Sequence, residues 1–191
     1  MKKVSKYLII LGSIFITLAI SLVVRNMIME KVAFERAISV LKEIEGNDDN
    51  IVTINDGDMP SVNILDNDYI GIIEIPSLNL KLPVMKDASY EKLDTSPGRY
   101  YGSVYTDDLV ICAHDYARHF GYIESLKQDD IVIFRDMNNT EYVYKVEVIE
   151  VLNPTDVKEM IESEFDLTLY TCTYDGLRRV TVRCNRVKDN I

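Results

Sequence analysis

The sequence predicts an all-β domain, closed or nearly closed into a barrel, carried behind an N-terminal membrane-spanning helix. Three observations predict it. Beyond residue 69 the chain breaks into seven short runs rich in β-branched and aromatic residues, separated by polar turns. One stretch among them, TDVKEMIES, reads as a short helix, with Asp156 and Glu159 at capping-box spacing. Ahead of these, residues 7–24 (YLIILGSIFITLAISLVV) carry no charge and come close to the roughly 20 residues that cross a bilayer core as a helix.

Three lysines precede that apolar run and a single Arg25 follows it, so the positive-inside rule puts residues 1–6 in the cytoplasm and the rest outside. The run exceeds a signal peptide's central region of about 7–15 residues and no A-x-A-like site follows, so 7–25 is expected to stay as an anchor. Residues 26–68 divide into an amphipathic helix and a linker. Met27, Phe34, Ile38, Leu41 and Ile44 recur at steps of about three and four, Gly46 suits a helix end, and the stretch from 47 to 68 is rich in Asn, Asp, Gly and Ser. The barrel is expected over 69–191. Its strands are read at 69–75, 80–85, 109–114, 131–135, 142–152, 167–172 and 179–187; many short strands with few helices favour a barrel over an α/β sheet.

Composition excludes several classes. The formal net charge of −10 understates the acidity of the exported part: with Lys2, Lys3, Lys6 and Arg25 removed from the 21 bases, 17 face 31 acids. Such a body has no footprint for nucleic acid, which is bound by neutralising phosphates. There is no phosphate loop or dinucleotide fingerprint, and no cofactor is implied. No metal site is expected either: Cys112 and His114 lie two apart on one strand face, but a closed zinc site needs four ligands, and the Asp107-Asp108 and Asp129-Asp130 pairs suit turns. Three cysteines cannot all pair within one chain, so an exported domain keeps a free thiol.

Strand alternation sorts the residues that could do chemistry. Thr168, Tyr170 and Cys172 share the less apolar face of their strand, and Val180, Val182 and Cys184 share the apolar face of the next, which makes Cys184 a core residue. Six residues including Asp175-Gly176 separate Cys172 from Arg179, so an antiparallel hairpin brings these two together. Arg183 falls about 13 Å further along at ~3.3 Å per residue, and Arg178 points to the opposite face. Of the two histidines, His114 ends an apolar strand where a rigid scaffold meets a loop, while His119 reads as a surface or packing residue. A free thiol with a pKa of about 8.5 needs a cationic neighbour to ionise near neutrality, and His114 and Arg179 are the available cations.

Taken in order, VICAH ending at His114, TLYTC ending at Cys172 and RVTV beginning at Arg179 resemble the sortase family, whose TLxTC pattern residues 168–172 match in full. The resemblance covers about 69–187, includes YIGIIEIPSLNLKLPV, and extends to the anchor. It implies a closed eight-stranded β-barrel, one of whose strands the sequence does not reveal. It also implies a membrane-anchored cysteine transpeptidase of a Gram-positive cell surface, with Cys172, His114 and Arg179 as catalytic residues. Its partners would be exported proteins bearing a C-terminal LPxTG-like sorting signal, cleaved between Thr and Gly through a thioester, and the amine of a peptidoglycan precursor. The 58 positions from His114 to Cys172 are too few for the large insertion of B-type members, and no aspartate-proline-aromatic lid precedes the barrel as in C-type members, so an A-, D- or E-like member is expected. Two other readings stand beside it: a membrane-tethered β-barrel binding module with an inert cysteine, and a secreted cysteine peptidase that uses water as acceptor.

Overall fold

The computed structural model describes residues 2–46, 52–53 and 57–188. Parts of two expected segments, 47–51 and 54–56 of the linker and 189–191 of the barrel domain, lie outside the described residues, as does Met1. Helix α1 runs unbroken over Lys2–Gly46, about 68 Å at 1.5 Å per residue, so the span and the juxtamembrane helix are one rod. From Lys6 to Met29 its side chains are exposed, including every apolar residue of the charge-free run. An uncovered apolar helix of this length fits a membrane anchor.

The remaining elements are β1 (Val52–Thr53), β2 (Ser61–Ile64), β3 (Asn67–Ile75), β4 (Leu80–Met85), α2 (Tyr90–Leu93), β5 (Gly98–Tyr101), β6 (Leu109–Cys112), β7 (Ile131–Asp136), β8 (Glu141–Leu152), α3 (Val157–Ile161), β9 (Leu167–Cys172) and β10 (Arg179–Arg186). The sheet order β3-β4-β5-β6-β9-β10-β8-β7 returns to β3 through the β3–β7 pairing, which closes an eight-stranded barrel; β2 and β1 extend from β3. Closure leaves no free edge within the barrel. Ile73, Leu82, Ile111, Phe134, Leu169, Val182 and Cys184 fill its interior.

The strand the sequence conceals is β5. It has four residues, opens on a glycine and leaves both tyrosines exposed, so alternation has nothing to mark. Strand β2 lies within the expected linker. It reaches β3 through Leu65 and Asp66, both at positive φ (50° and 61°), a hairpin geometry usually signalled by Asn-Gly. The capping box at Asp156 does not form. Its carboxylate instead accepts the Asn153 backbone N–H and side-chain amide, each at 2.9 Å, and makes no cap bond to α3.

The lower third of α1 docks on the barrel, but on a face rotated from the expected one. Ala33, Ala37, Val40 and Leu41 are buried, whereas Met27 is exposed and Phe34 and Ile38 are half-buried. Two alanines one turn apart allow close backbone approach, which hydropathy alone does not favour over the bulkier neighbours. Lys81 and Arg135 from β4 and β7 hold Glu45 at 2.5 and 3.2 Å, and the Lys81 hydrogen bond leads in lowering that carboxyl's pKa.

Gly71 lies where β3 pairs with β7 to close the barrel, next to a register shift in β3. A Cβ there would strike the Phe134 ring and lie 2.5 Å from the Arg135 carbonyl oxygen. Gly71→Ala is therefore expected to destabilise the fold by ~2–3 kcal/mol, seen as a lower Tm in detergent solution.

Candidate functional site

Strands β6 and β9 are parallel, pairing Leu109 with Leu167 and Cys112 with Tyr170, a constant offset of 58 positions. The same offset carried two residues past β6 sets His114 beside Cys172. Two bonds extend the pairing: the Ala113 N–H donates to the Tyr170 carbonyl at 3.2 Å, and the buried Thr171 hydroxyl donates to the Ala113 carbonyl at 2.9 Å. Thr171 thus ties the residue before His114 to the residue before Cys172. On the other side, β9 and β10 pair antiparallel with Cys172 directly opposite Arg179. Three sequence-separated backbone positions are therefore neighbours where β6 and β9 end and β10 begins, with Arg179 and Cys172 in the hairpin register expected from the sequence, although neither His114 nor Arg179 lines the cavity beside Cys172.

Each is held differently. Cys172 is half-buried beside a cavity of about 120 Å³ lined by Asp115, Glu124, Thr173 and Tyr174, with Phe120 and Val180 as its apolar wall. That volume is well below the roughly 300–1,000 Å³ of an enclosing small-molecule pocket, so the hollow beside the thiol does not by itself enclose a ligand. Arg179 is half-exposed and its guanidinium lies along its own turn, donating to the Arg178 carbonyl at 3.0 Å and the Gly176 carbonyl at 3.4 Å. The turn is fixed by a Thr173 N–H to Arg178 carbonyl bond at 2.9 Å and by Gly176 at φ 73°.

His114 is only 14% exposed and sits in an aromatic notch, edge-on to Tyr90 at 5.3 Å and tilted against Tyr116 at 5.1 Å. Its loop folds back through Phe120 N–H to His114 carbonyl and Gly121 N–H to Tyr116 carbonyl bonds. Its Nε2 lies 3.2 Å from Asp94 Oδ1, within ion-pair distance but off the hydrogen-bond line, so the nitrogen makes no aligned bond. Asp94 was not legible as a site residue. It lies twenty positions before His114, just past the one-turn helix α2, and no spacing rule links the two.

His119 is 2% exposed against Tyr116, and burial first, then the charge of His114, pulls its pKa down to about 4. It packs rather than titrates near neutrality. Arg183 is a structural clamp: 2% exposed, it donates to Glu150, to the Thr168 hydroxyl, and to the Glu159 and Met160 carbonyls at the end of α3, at 2.8–3.3 Å.

All three cysteines are free. Burial pushes the Cys112 thiol up to about 11 and the Cys184 thiol further. At pH 7–8 both stay protonated, because each titrates well above that range. Iodoacetamide is therefore expected to label Cys172 alone in the native chain, and all three cysteines after unfolding. Peptide mapping by mass spectrometry checks this; prompt native labelling of Cys112 or Cys184 contradicts it. Among the described residues no group of acids, histidines and cysteines is arranged to hold a metal.

Comparison with known proteins gives a consistent result. The family described as Sortase domain matches residues 73–187. Among solved structures, sortase C1 from Streptococcus agalactiae is 31% identical, with a TM-score of 0.58 over 67% of this chain and 72% of that one. Sortase C1 from Streptococcus suis is 29% identical, with a TM-score of 0.54 over 63% and 73%. Sortase E1 from Streptomyces coelicolor, at 24% identity and a TM-score of 0.55 over 63% and 88%, shares the fold. The search of curated protein sequences gives no match.

Proposed function

Because this chain belongs to the sortase family and is a cysteine transpeptidase, we propose that it cleaves an LPxTG-like sorting signal between Thr and Gly and transfers the protein to a cell-wall amine. Cys172 is the nucleophile, His114 the proton carrier and Arg179 the oxyanion donor. The observation that supports this reading is the register: the β6–β9 offset carried past Cys112 sets His114 level with Cys172, and the hairpin pairs Cys172 with Arg179.

The chemistry follows from the groups. Cys172 Sγ attacks the Thr carbonyl carbon, forming a C–S bond and a tetrahedral oxyanion. Arg179 stays charged at any working pH and so donates hydrogen bonds to that oxygen rather than exchanging protons. Its guanidinium has only to leave two backbone carbonyls of an exposed turn. As the C–N bond breaks, imidazolium His114 gives its proton to the leaving glycine nitrogen. The incoming amine attacks the thioester and returns a proton to His114, and the C–S bond breaks.

The anchor orientation we propose has the N-terminus cytoplasmic and the barrel outside. For subclass we propose an anchoring, A-, D- or E-like enzyme, although the solved structures at 31% and 29% identity are C-type by name. The described residues ahead of β3 support an uncovered site. Asp58 is bound to Arg99 at 2.7 Å and Lys86 at 3.1 Å, Met59 is buried, and none of these residues lines the cavity at Cys172. Fluorogenic LPxTG-like peptides offered to the full-length chain in detergent test the proposal. The expected result is cleavage after Thr, with product diverted to an added glycine or diaminopimelate amine. Transfer restricted to a pilin-type lysine would overturn the subclass, and hydrolysis unaffected by any amine would favour the peptidase reading.

A further inference from the structure

The third position of the site, orienting the histidine, has no occupant legible in the sequence. We propose that Asp94 fills it as the positioning residue for His114, holding Nε2 and leaving Nδ1 to exchange protons with the Cys172 side. The inference rests on the proposed role of His114.

Asp94 is placed by a small, well-tied segment. The Ser89 hydroxyl caps α2 by accepting the Lys92 N–H at 3.3 Å. Beyond the helix, fully buried Ser96 donates to the Pro83 carbonyl of β4 at 2.5 Å. Between these ties, Asp94 Oδ1 lies 3.2 Å from His114 Nε2 and accepts the Tyr116 hydroxyl at 3.4 Å. Tyr90 of the same segment closes edge-on over the ring. The segment therefore supplies both a wall and an anion to His114.

Other groups around the ring do not do this work. On its own loop are Asp115, Tyr116 and His119; Cys172 comes from β9, with Arg179 across from it on β10. Burial keeps His119 neutral above about pH 4, and burial together with Asp94 raises the Tyr116 hydroxyl's pKa, so it stays a neutral donor. Asp115 is exposed and borders the cavity at Cys172. Among the described residues, Asp94 is the anion within ion-pair distance of His114. The pair is close but not aligned, and catalytic hydrogen bonds in ligand-free sites commonly tighten once substrate is bound. The proton moves between Nδ1 and the amine nitrogen on the far side of the ring, so the part of Asp94 is orientation and charge balance.

The test uses the full-length chain in detergent with a cleavable sorting-signal peptide. Asp94→Asn, which keeps the shape and removes the charge, is expected to lower kcat about ten- to a hundred-fold with KM unchanged, and Asp94→Glu to recover much of the loss. Tm should barely move, because Asp94 is 37% exposed. Independently of any variant, the ¹H–¹⁵N spectrum of the wild-type chain saturated with a non-cleavable sorting-signal analogue should show a downfield, exchange-protected His114 Nε2–H. Wild-type kcat in Asp94→Asn, a loss carried by KM, or no protected Nε2–H in the saturated wild type overturns the inference. A fully active His114→Ala instead overturns the role of His114, and the inference with it.

Discussion

Replacing Cys172 with alanine is expected to lower peptide cleavage and amine transfer by at least ~10⁴-fold, to background, while the Tm stays within a few degrees of wild type. The reasoning is specific to this thiol. Cys172 is half-buried, in register with His114 through β6 and directly opposite Arg179 on β10. The other two thiols cannot stand in, since Cys112 is 3% exposed beneath Tyr170 and Cys184 lies inside the barrel. Cys112→Ala and Cys184→Ala should retain activity in proportion to folded protein. Residual turnover in Cys172→Ala above that of a heat-inactivated sample would remove the thioester from the account.

The second large effect separates two arginines of one strand. Arg179→Ala is expected to lower kcat by about 10²–10³-fold, the usual cost of one oxyanion donor, with stability within ~0.5 kcal/mol, because its present bonds reach only exposed turn carbonyls. Arg183→Ala is expected to act through the fold. It removes a buried charge that satisfies Glu150, Thr168 and the carbonyls at the end of α3, and should cost ~3–5 kcal/mol, a Tm fall of roughly 10 °C. Activity per folded molecule should then survive in Arg183→Ala and fall in Arg179→Ala. Equal loss per folded molecule at both positions would refute the assignment of Arg179.

The site was legible where periodicity alone decides geometry. Period-two alternation placed Cys172 outward and Cys184 inward, and the Asp175-Gly176 turn fixed the hairpin opposite Arg179. His114 could be chosen because only one other histidine exists, and the burial of His119 removes that competitor. What stayed hidden depends on tertiary contact. The buried task of Arg183 needs β8 and α3 packed over it, which its strand neighbours do not reveal. The close approach of Asp94 to His114 arises from a one-turn helix with no periodic signal. Strand β2 has only four residues, two of them apolar, β5 exposes both its tyrosines, and the docked face of α1 was set by Ala33 and Ala37, whose small size matters more than their hydropathy.

The most direct test of the central claim is the intact mass of the full-length chain quenched in acid during turnover of an LPxTG-like peptide. The account predicts a population heavier by the peptide up to Thr minus water, mapped to Cys172, discharged by hydroxylamine and depleted when an amine acceptor is added. Turnover with no adduct on Cys172, or an adduct that amines do not discharge, would contradict it.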